Sequence, residues 1–194
     1  MQFKIFNFKS VTSTNDIAIQ LIRKKKNRYG FIFSKNQSKG RGTHGKKWVS
    51  ESGNLYVSIF FPLRKIYPPY SEFSIINPVI IYNIIKKFCK KNTITFKYPN
   101  DILLNKKKVC GILQEVITVD KKKFLITGIG INIISNPDVK NIYKSTNIFL
   151  ETKQKPNISK MINLIIKSYE SFFYDLNMYN FVKFKKQAEF MALK

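Results

Sequence analysis

A chain of 194 residues that is 44% hydrophobic and 14% aromatic carries enough apolar surface to offset the entropy of ordering, which excludes a disordered chain. One folded domain spanning 1–194 is the simplest expectation. The formal charge of +24 attracts polyanions and acidic partners whatever the fold, but the excess is mostly Lys, is spread along the chain and travels with abundant Ile, Asn, Phe and Tyr. That pattern fits A+T-rich codon usage better than a selected nucleic-acid surface.

Two Cys and one His are too few for a disulfide framework or a His/Cys metal site, and no metal-ligating residues are assigned. The N-terminus lacks the features of a secretory signal, and the longest apolar run, Phe73 to Phe88, is broken by Asn77, Pro78, Asn83 and Lys86. No membrane span and a cytoplasmic location are expected.

In chain order, Ser13-Thr14-Asn15-Asp16 reads as a helix start: Ser13 or Thr14 caps, Asp16 completes a capping box, and Ile17, Ala18, Leu21 and Ile22 form the apolar stripe. Lys24 to Lys26 suit the helix C-terminus, and Gly30 ends the unit before a short strand from Phe31 to Ser34. Asn36 to Glu51, rich in Gly, Lys and Ser, reads as a long functional loop. Leu55 to Phe61 alternates as a strand, and Ser71 to Lys91 is helical, with Pro78 kinking it or opening a new first turn.

Thr93 to Lys97, Ile102 to Leu104, Val109 to Val119 and Lys123 to Ile134 follow as four strands of an antiparallel meander. A polar segment, Asn136 to Pro156, is expected to be mobile. A long amphipathic helix then runs from Ile158 to Leu176 and a shorter one from Tyr179 to Met191. This order indicates an α+β fold, a mixed and largely antiparallel sheet flanked by helices, with the helices on one face.

Three segments could carry chemistry. Gly40-Arg41-Gly42-Thr43-His44-Gly45-Lys46-Lys47-Trp48 combines glycines that let backbone amides approach an anion with cations that balance phosphate charge. It matches neither a Walker loop nor a dinucleotide fingerprint, and a flexible basic loop is the alternative. Lys97-Tyr98-Pro99-Asn100-Asp101, followed by Lys106 to Ile112, holds polar groups at a strand end, with Lys108 able to reach a negative reaction centre; locally, a solvated lysine turn reads better. In Gly128-Ile129-Gly130-Ile131-Asn132, glycines at alternate strand positions point to a group pressing on that face, or to a bulge.

As an ordered set these segments resemble the catalytic domain of bacterial biotin-protein ligases. The set comprises Ser13-Thr14-Asn15, Gln37, Gly-Arg-Gly-x-x-Gly-x-x-Trp at 40–48, Asn54-Leu55-Tyr56, Lys-x-Pro-Asn-Asp at 97–101, Lys108 with Gly111-Ile112-Leu113, and Gly130-Ile131-Asn132. The resemblance implies a fold of the class II aminoacyl-tRNA synthetase-like, biotin-lipoate ligase type. It also implies ATP and biotin as substrates, Mg²⁺ with ATP, biotinyl-5'-AMP as intermediate, and the biotin carboxyl carrier protein of acetyl-CoA carboxylase as acceptor.

By the same resemblance Lys108, Arg41 and Asp101 are catalytic. Ser13, Thr14, Asn15, Gln37, Gly40, Arg41, Lys108, Gly111 and Gly128 hold biotin, and Gly42, Lys46, Trp48, Asn100 and Asn132 lie on the nucleotide side, under a disordered glycine loop that closes over the adenylate. Tyr98 stands where the family commonly has Trp, with little consequence expected because it keeps an aromatic body, and Thr43 stands where the family commonly has Arg, so weaker retention of the adenylate is expected. No N-terminal helix-turn-helix and no C-terminal SH3-like domain are recognised, so no DNA operator is expected, and a homodimer is left open. The rivals are a lipoate- or octanoate-protein ligase, a basic nucleic-acid-binding module, and a ligase-like remnant that binds biotin without turnover.

Overall fold

The computed structural model describes residues 1–137 and 144–192. The strands are β1 (Lys4–Phe8), β2 (Gly30–Ser34), β3 (Leu55–Pro62), β4 (Ile94–Lys97), β5 (Asp101–Leu104), β6 (Lys107–Val119) and β7 (Lys122–Ile131). The helices are α1 (Thr14–Lys25), α2 (Phe73–Phe88), α3 (Ile148–Thr152), α4 (Ile158–Tyr174) and α5 (Phe181–Ala192). One seven-stranded sheet runs in the order β1-β2-β3-β7-β6-β5-β4. Only β1 and β2 pair in parallel; every other neighbouring pair is antiparallel. The mixed, largely antiparallel sheet expected from the sequence is therefore present.

The helices lie on both faces of the sheet, not on one. Strand β3 is buried along its whole length, so both sets of its alternating side chains need cover. Leu55, Val57, Ile59 and Phe61 join the large core under α2, α4 and α5, whereas Phe60 packs with Ile32, Phe124 and Ile126 under Ala18, Leu21 and Ile22 of α1. Pro78 stays inside one continuous α2.

Several local expectations are corrected. Ser13 is the N-cap of α1, but its side chain makes no capping bond. The Thr14 N–H instead donates to Gln37 Oε1 (2.8 Å), a partner 23 residues away, and Asp16 pairs with Arg41. Gly30 does not end the helix unit: α1 closes at Lys26 in the left-handed region, and Gly30 opens β2, where a Cβ would lie 2.2 Å from the Phe60 ring. Strand β1 had no sequence signal strong enough to mark it, because its side chains are mostly exposed and its place is set by parallel pairing with β2.

The polar segment after β7 is built into the fold where it is described; 138–143 lie outside the described residues. Buried Asn54 accepts the N–H groups of Ile133, Ile134 and Ser135 at Oδ1 (2.8, 3.1 and 3.3 Å) and turns the chain there. Lys144 to Thr146 then run beside Lys108: the Lys108 N–H donates to Lys144 O and the Thr146 N–H to Lys108 O, both at 2.9 Å. Glu151 of α3 clamps this strap, accepting from Thr146 Oγ1 (2.6 Å), Asn105 Nδ2 (2.7 Å) and Lys107 Nζ (3.1 Å).

Burial works to raise the Glu151 pKa, but these donors and the Lys107 charge outweigh it and hold the carboxyl below its ordinary value of 4.5. A depressed folded-state pKa stabilises the protein above the unfolded value and ceases to do so as pH falls through the folded one. Glu151→Gln should therefore cost about 1–3 kcal/mol at pH 7. In denaturation curves the gap from wild type should narrow as pH is taken below 4.5.

Candidate active site

Helix α1 covers only part of its face of the sheet, and next to its N-terminus the strands carry glycine. Gly111 of β6 is paired with Gly130 of β7, and Gly128 faces Leu113 two pairs along the same ladder. Each glycine is occupied from above by a protein side chain. A Cβ on Gly111 or Gly130 would lie 2.6 or 2.5 Å from the Trp48 indole, and one on Gly128 would lie 2.5 Å from Asn15 Oδ1. The pressing group inferred from the glycine spacing is therefore the chain itself, which forms the floor and one wall of a cleft.

The glycine-rich segment forms the other wall and takes the shape of a hairpin. Arg41 and Lys47 form an antiparallel bridge, Gly42 N–H donates to Lys46 O (2.7 Å) and Trp48 N–H to Gly40 O (2.9 Å), around a short 3-10 turn at Thr43–Gly45. Gly45 at φ +71 takes a left-handed conformation that glycine adopts without strain.

The cleft gathers most of the residues singled out in the sequence. Ser13, Thr14, Asn15, Gln37, Arg41, Gly42, Lys46, Trp48, Asn100, Lys108, Gly111, Gly128 and Asn132 all line it, together with Thr43. Two expected members do not. Gly40 is buried behind the hairpin, where a Cβ would lie 2.4 Å from Trp48 O, so its role is to let the two arms meet. Asp101 sits behind Lys108 as its counter-ion, with Oδ1 2.7 Å from Nζ. The angle of that contact is too poor for a hydrogen bond, since Asp101 Oδ1 has no hydrogen-bond partner. A register shift between β5 and β6 at Ile102/Leu103 places Lys108 here, and its ammonium also lies 5.3 Å from the Trp48 ring centroid.

Arg41 is more tightly held. Nη1 and Nη2 form a two-pronged pair with Glu115 of β6 (both 2.7 Å), and Nη2 also meets Asp16 Oδ1 (2.8 Å). Burial works to lower the Arg41 pKa, but the hydrogen bonds and charges of Glu115 and then Asp16 raise it overall, so the group is a permanent cation. Asn15 Nδ2 donates to the same Glu115 (2.7 Å), while Asn15 Oδ1 accepts from buried Ser58 of β3. Glu115 and Ser58 belong to no motif noted in the sequence; the one local signal was a serine on the Tyr56/Ser58/Phe60 face of an apolar strand.

Besides Asp101 Oδ1, which is ion-paired, three buried polar atoms around the cleft have no hydrogen-bond partner among the described residues: Arg41 Nε, Trp48 Nε1 and Asn132 Oδ1. Two are donors and one is an acceptor. Asn132 is anchored through Nδ2 to Thr146 O (3.0 Å), which fixes its oxygen, and Asn100 is tied by Nδ2 to Ile112 O (3.1 Å). The arrangement offers cations, unmatched donors and an unmatched acceptor, the features of a site for a polar, anionic small molecule.

Trp48 is the only tryptophan of the chain, so it reports on the cleft directly. Gly130→Ala should push the indole off the sheet, shifting its emission to the red and increasing its quenching by iodide. An unchanged spectrum would show that the glycine floor does not set the indole position.

Comparison with known proteins agrees with this geometry. Residues 7–132 match the biotin/lipoate A/B protein ligase family. The bifunctional ligase/repressor BirA of Bacillus subtilis (strain 168) is 27% identical over 194 residues, covering 94% of this chain and 58% of that protein. BirA of Escherichia coli (strain K12) is 32% identical over 126 residues, or 63% of this chain and 38% of that one. The chain thus spans less than two thirds of the length of these relatives. Among solved structures, the biotin protein ligase from Aquifex aeolicus in complex with biotin and ATP superposes with a TM-score of 0.80 at 25% identity, covering 98% of this chain and 78% of that one. The biotin protein ligase from Leishmania major in complex with biotinyl-5-AMP shares the fold, with a TM-score of 0.77 at 22% identity over 97% of this chain and 81% of that one. With the match running through more than half of its length, and with most of its motif residues meeting in one cleft, the chain belongs to the biotin/lipoate A/B protein ligase family.

Proposed function

We propose that the chain is a biotin-protein ligase that activates biotin with ATP and transfers it to a lysine of a biotin carboxyl carrier protein. The observation that carries this reading is that Arg41 and Lys108 line one cleft together with the neutral polar groups of Ser13, Thr14, Asn15 and Gln37. Biotin carries both a polar cyclic urea and a carboxylate, and the cleft supplies neutral polar groups and cations for the two.

In the first step the biotin carboxylate attacks the α-phosphate of ATP, the bond to pyrophosphate breaks, and a mixed anhydride forms. Two anions must meet, so catalysis rests on holding them together and balancing their charge. Lys108 is the less committed cation and can swing from Asp101 to the reacting oxygens while Arg41 stays fixed by Glu115 and Asp16. The unpartnered Asn132 Oδ1 suits an exocyclic amino group of the base, and the Trp48 indole lines the same cleft. Asp16, Asp101 and Glu115 are each paired with a cation, so Mg²⁺ enters on the ATP phosphates as part of the substrate. In the second step the carrier lysine amine attacks the carbonyl carbon of the anhydride and AMP leaves.

A lipoate- or octanoate-protein ligase is the second reading, because the family includes both chemistries. The polar cluster favours biotin, since a dithiolane or alkyl chain would leave it unmatched. The deciding experiment is incubation with ATP, Mg²⁺ and a carrier domain, offering biotin or lipoate. Biotinylated carrier is the expected product, and Lys108→Ala should lower its rate at least about a hundredfold. Equal rates from the variant and wild type would remove Lys108 from its role, and lipoylation without biotinylation would overturn the reading. Thr43 lines the cleft where the family commonly has Arg, so Thr43→Arg should slow dissociation of biotinyl-5'-AMP, measured by chasing labelled adenylate.

A further inference from the structure

Glu115 does not line the cleft, yet it holds two residues that do. A carboxylate can only accept hydrogen bonds, so the Asn15 amide has one orientation available: Nδ2 toward Glu115 Oε2 (2.7 Å) and Oδ1 away from it. That oxygen meets the Ser58 hydroxyl, which spends its single proton there. Ser58 Oγ also lies 2.7 Å from Thr14 Oγ1, and Thr14 Oγ1 lies 3.1 Å from Gln37 Oε1. The Gln37 amide is fixed in turn, because Nε2 donates to Ser50 Oγ (3.0 Å) while Oε1 takes the Thr14 N–H. Whichever neighbour receives it, the Thr14 proton stays inside the protein. Both hydroxyl protons are directed inward, and Thr14 offers the cleft oxygen lone pairs alone.

We infer that Glu115 is a positioning residue that sets the hydrogen-bond polarity of the acid-substrate pocket through Asn15, Ser58 and Thr14, so that the pocket selects a substrate bearing N–H donors. This rests on the biotin-ligase reading and adds to it a cause of specificity lying outside the cleft. A cyclic urea carries two N–H donors, whereas a dithiolane or a plain alkyl chain carries none and leaves the buried lone pairs unmatched. Sites built to bond a polar group reject analogues that lack it more strongly than apolar pockets reject a change of size.

Glu115→Gln keeps the shape but presents an amide nitrogen as well as an oxygen. The Asn15 amide can then turn over and donate to Ser58, whose proton passes to Thr14 and uses a lone pair that the substrate needs. Calorimetric titration of the full chain with biotin and with lipoate should show biotin affinity falling about tenfold or more while lipoate affinity stays within about threefold. The double variant Asn15→Asp with Glu115→Gln restores an acceptor facing Ser58 and should recover the preference for biotin; melting curves establish that each variant is folded.

A measurement on the wild type needs no variant: biotin methylated at both ureido nitrogens should bind no better than lipoate. An unchanged biotin-to-lipoate ratio in folded Glu115→Gln, a double variant no better than the single one, or tight binding of the methylated biotin would each overturn the inference. A wild type that prefers lipoate to biotin would overturn the ligase reading, and this inference with it.

Discussion

The site depends on three missing side chains. Gly111, Gly128 and Gly130 leave one patch of the central sheet bare, and Trp48 and Asn15 lie down on it at distances that no Cβ would allow. The strands around this patch are buried and densely paired, which supplies the rigidity that the glycines themselves give up. The patch also gives the hairpin at 40–48 its anchor, because the indole at its end has a fitted seat. Floor and wall are therefore one construction, and a change in either is felt in the other.

Electrostatic compensation is the second constraint. A guanidinium with buried atoms is tolerated only with close partners, and Arg41 has two carboxylates, one from α1 and one from β6. These pairs link the helix N-terminus, the hairpin and the sheet across 25 and 74 positions of sequence, which makes them ties of the tertiary structure as well as parts of the site. Lys108 has a looser arrangement, a carboxylate contact of poor angle and a ring face. The contrast separates a cation locked between two carboxylates from one held by a single carboxylate contact of poor angle.

Much of this was legible in the sequence and the rest was not, for reasons that differ by residue. The strand β3, the meander β4 to β7 and the helices α2, α4 and α5 follow from periodicity, because each buries a regular face. Ser13, Asn15, Arg41 and Lys108 were recognisable through the resemblance to biotin-protein ligases and not from their local pattern, which read as a helix start, a basic loop and a solvated turn. Strand β1 and the cap of α1 were not, since one depends on parallel pairing with β2 and the other on an amide 23 residues away. Glu115 escaped notice because a lone glutamate in a strand carries no periodicity; its meaning comes from Arg41 and Asn15 arriving from elsewhere. Gly40 and Asp101 were placed one layer too far forward: a motif gives proximity to the site but not the direction a side chain faces.

The large net charge looks different once the site is described. The cleft contains Arg41, Lys46, Lys47 and Lys108, but Asp16, Glu115 and Asp101 stand against the two innermost of these, so its local balance is modest in a chain of +24. The surplus lies on the outside, where water and salt screen it over about 10 Å at ordinary ionic strength. A field of that kind raises the rate at which any anion arrives but does not distinguish ATP from other polyanions. Discrimination has to come from groups whose orientation is fixed and whose bonding capacity is limited, and those are neutral: the amides and hydroxyls of Thr14, Asn15, Gln37, Ser58 and Asn132. On the proposed function, the charges recruit and hold, while the direction of a few protons decides what fits.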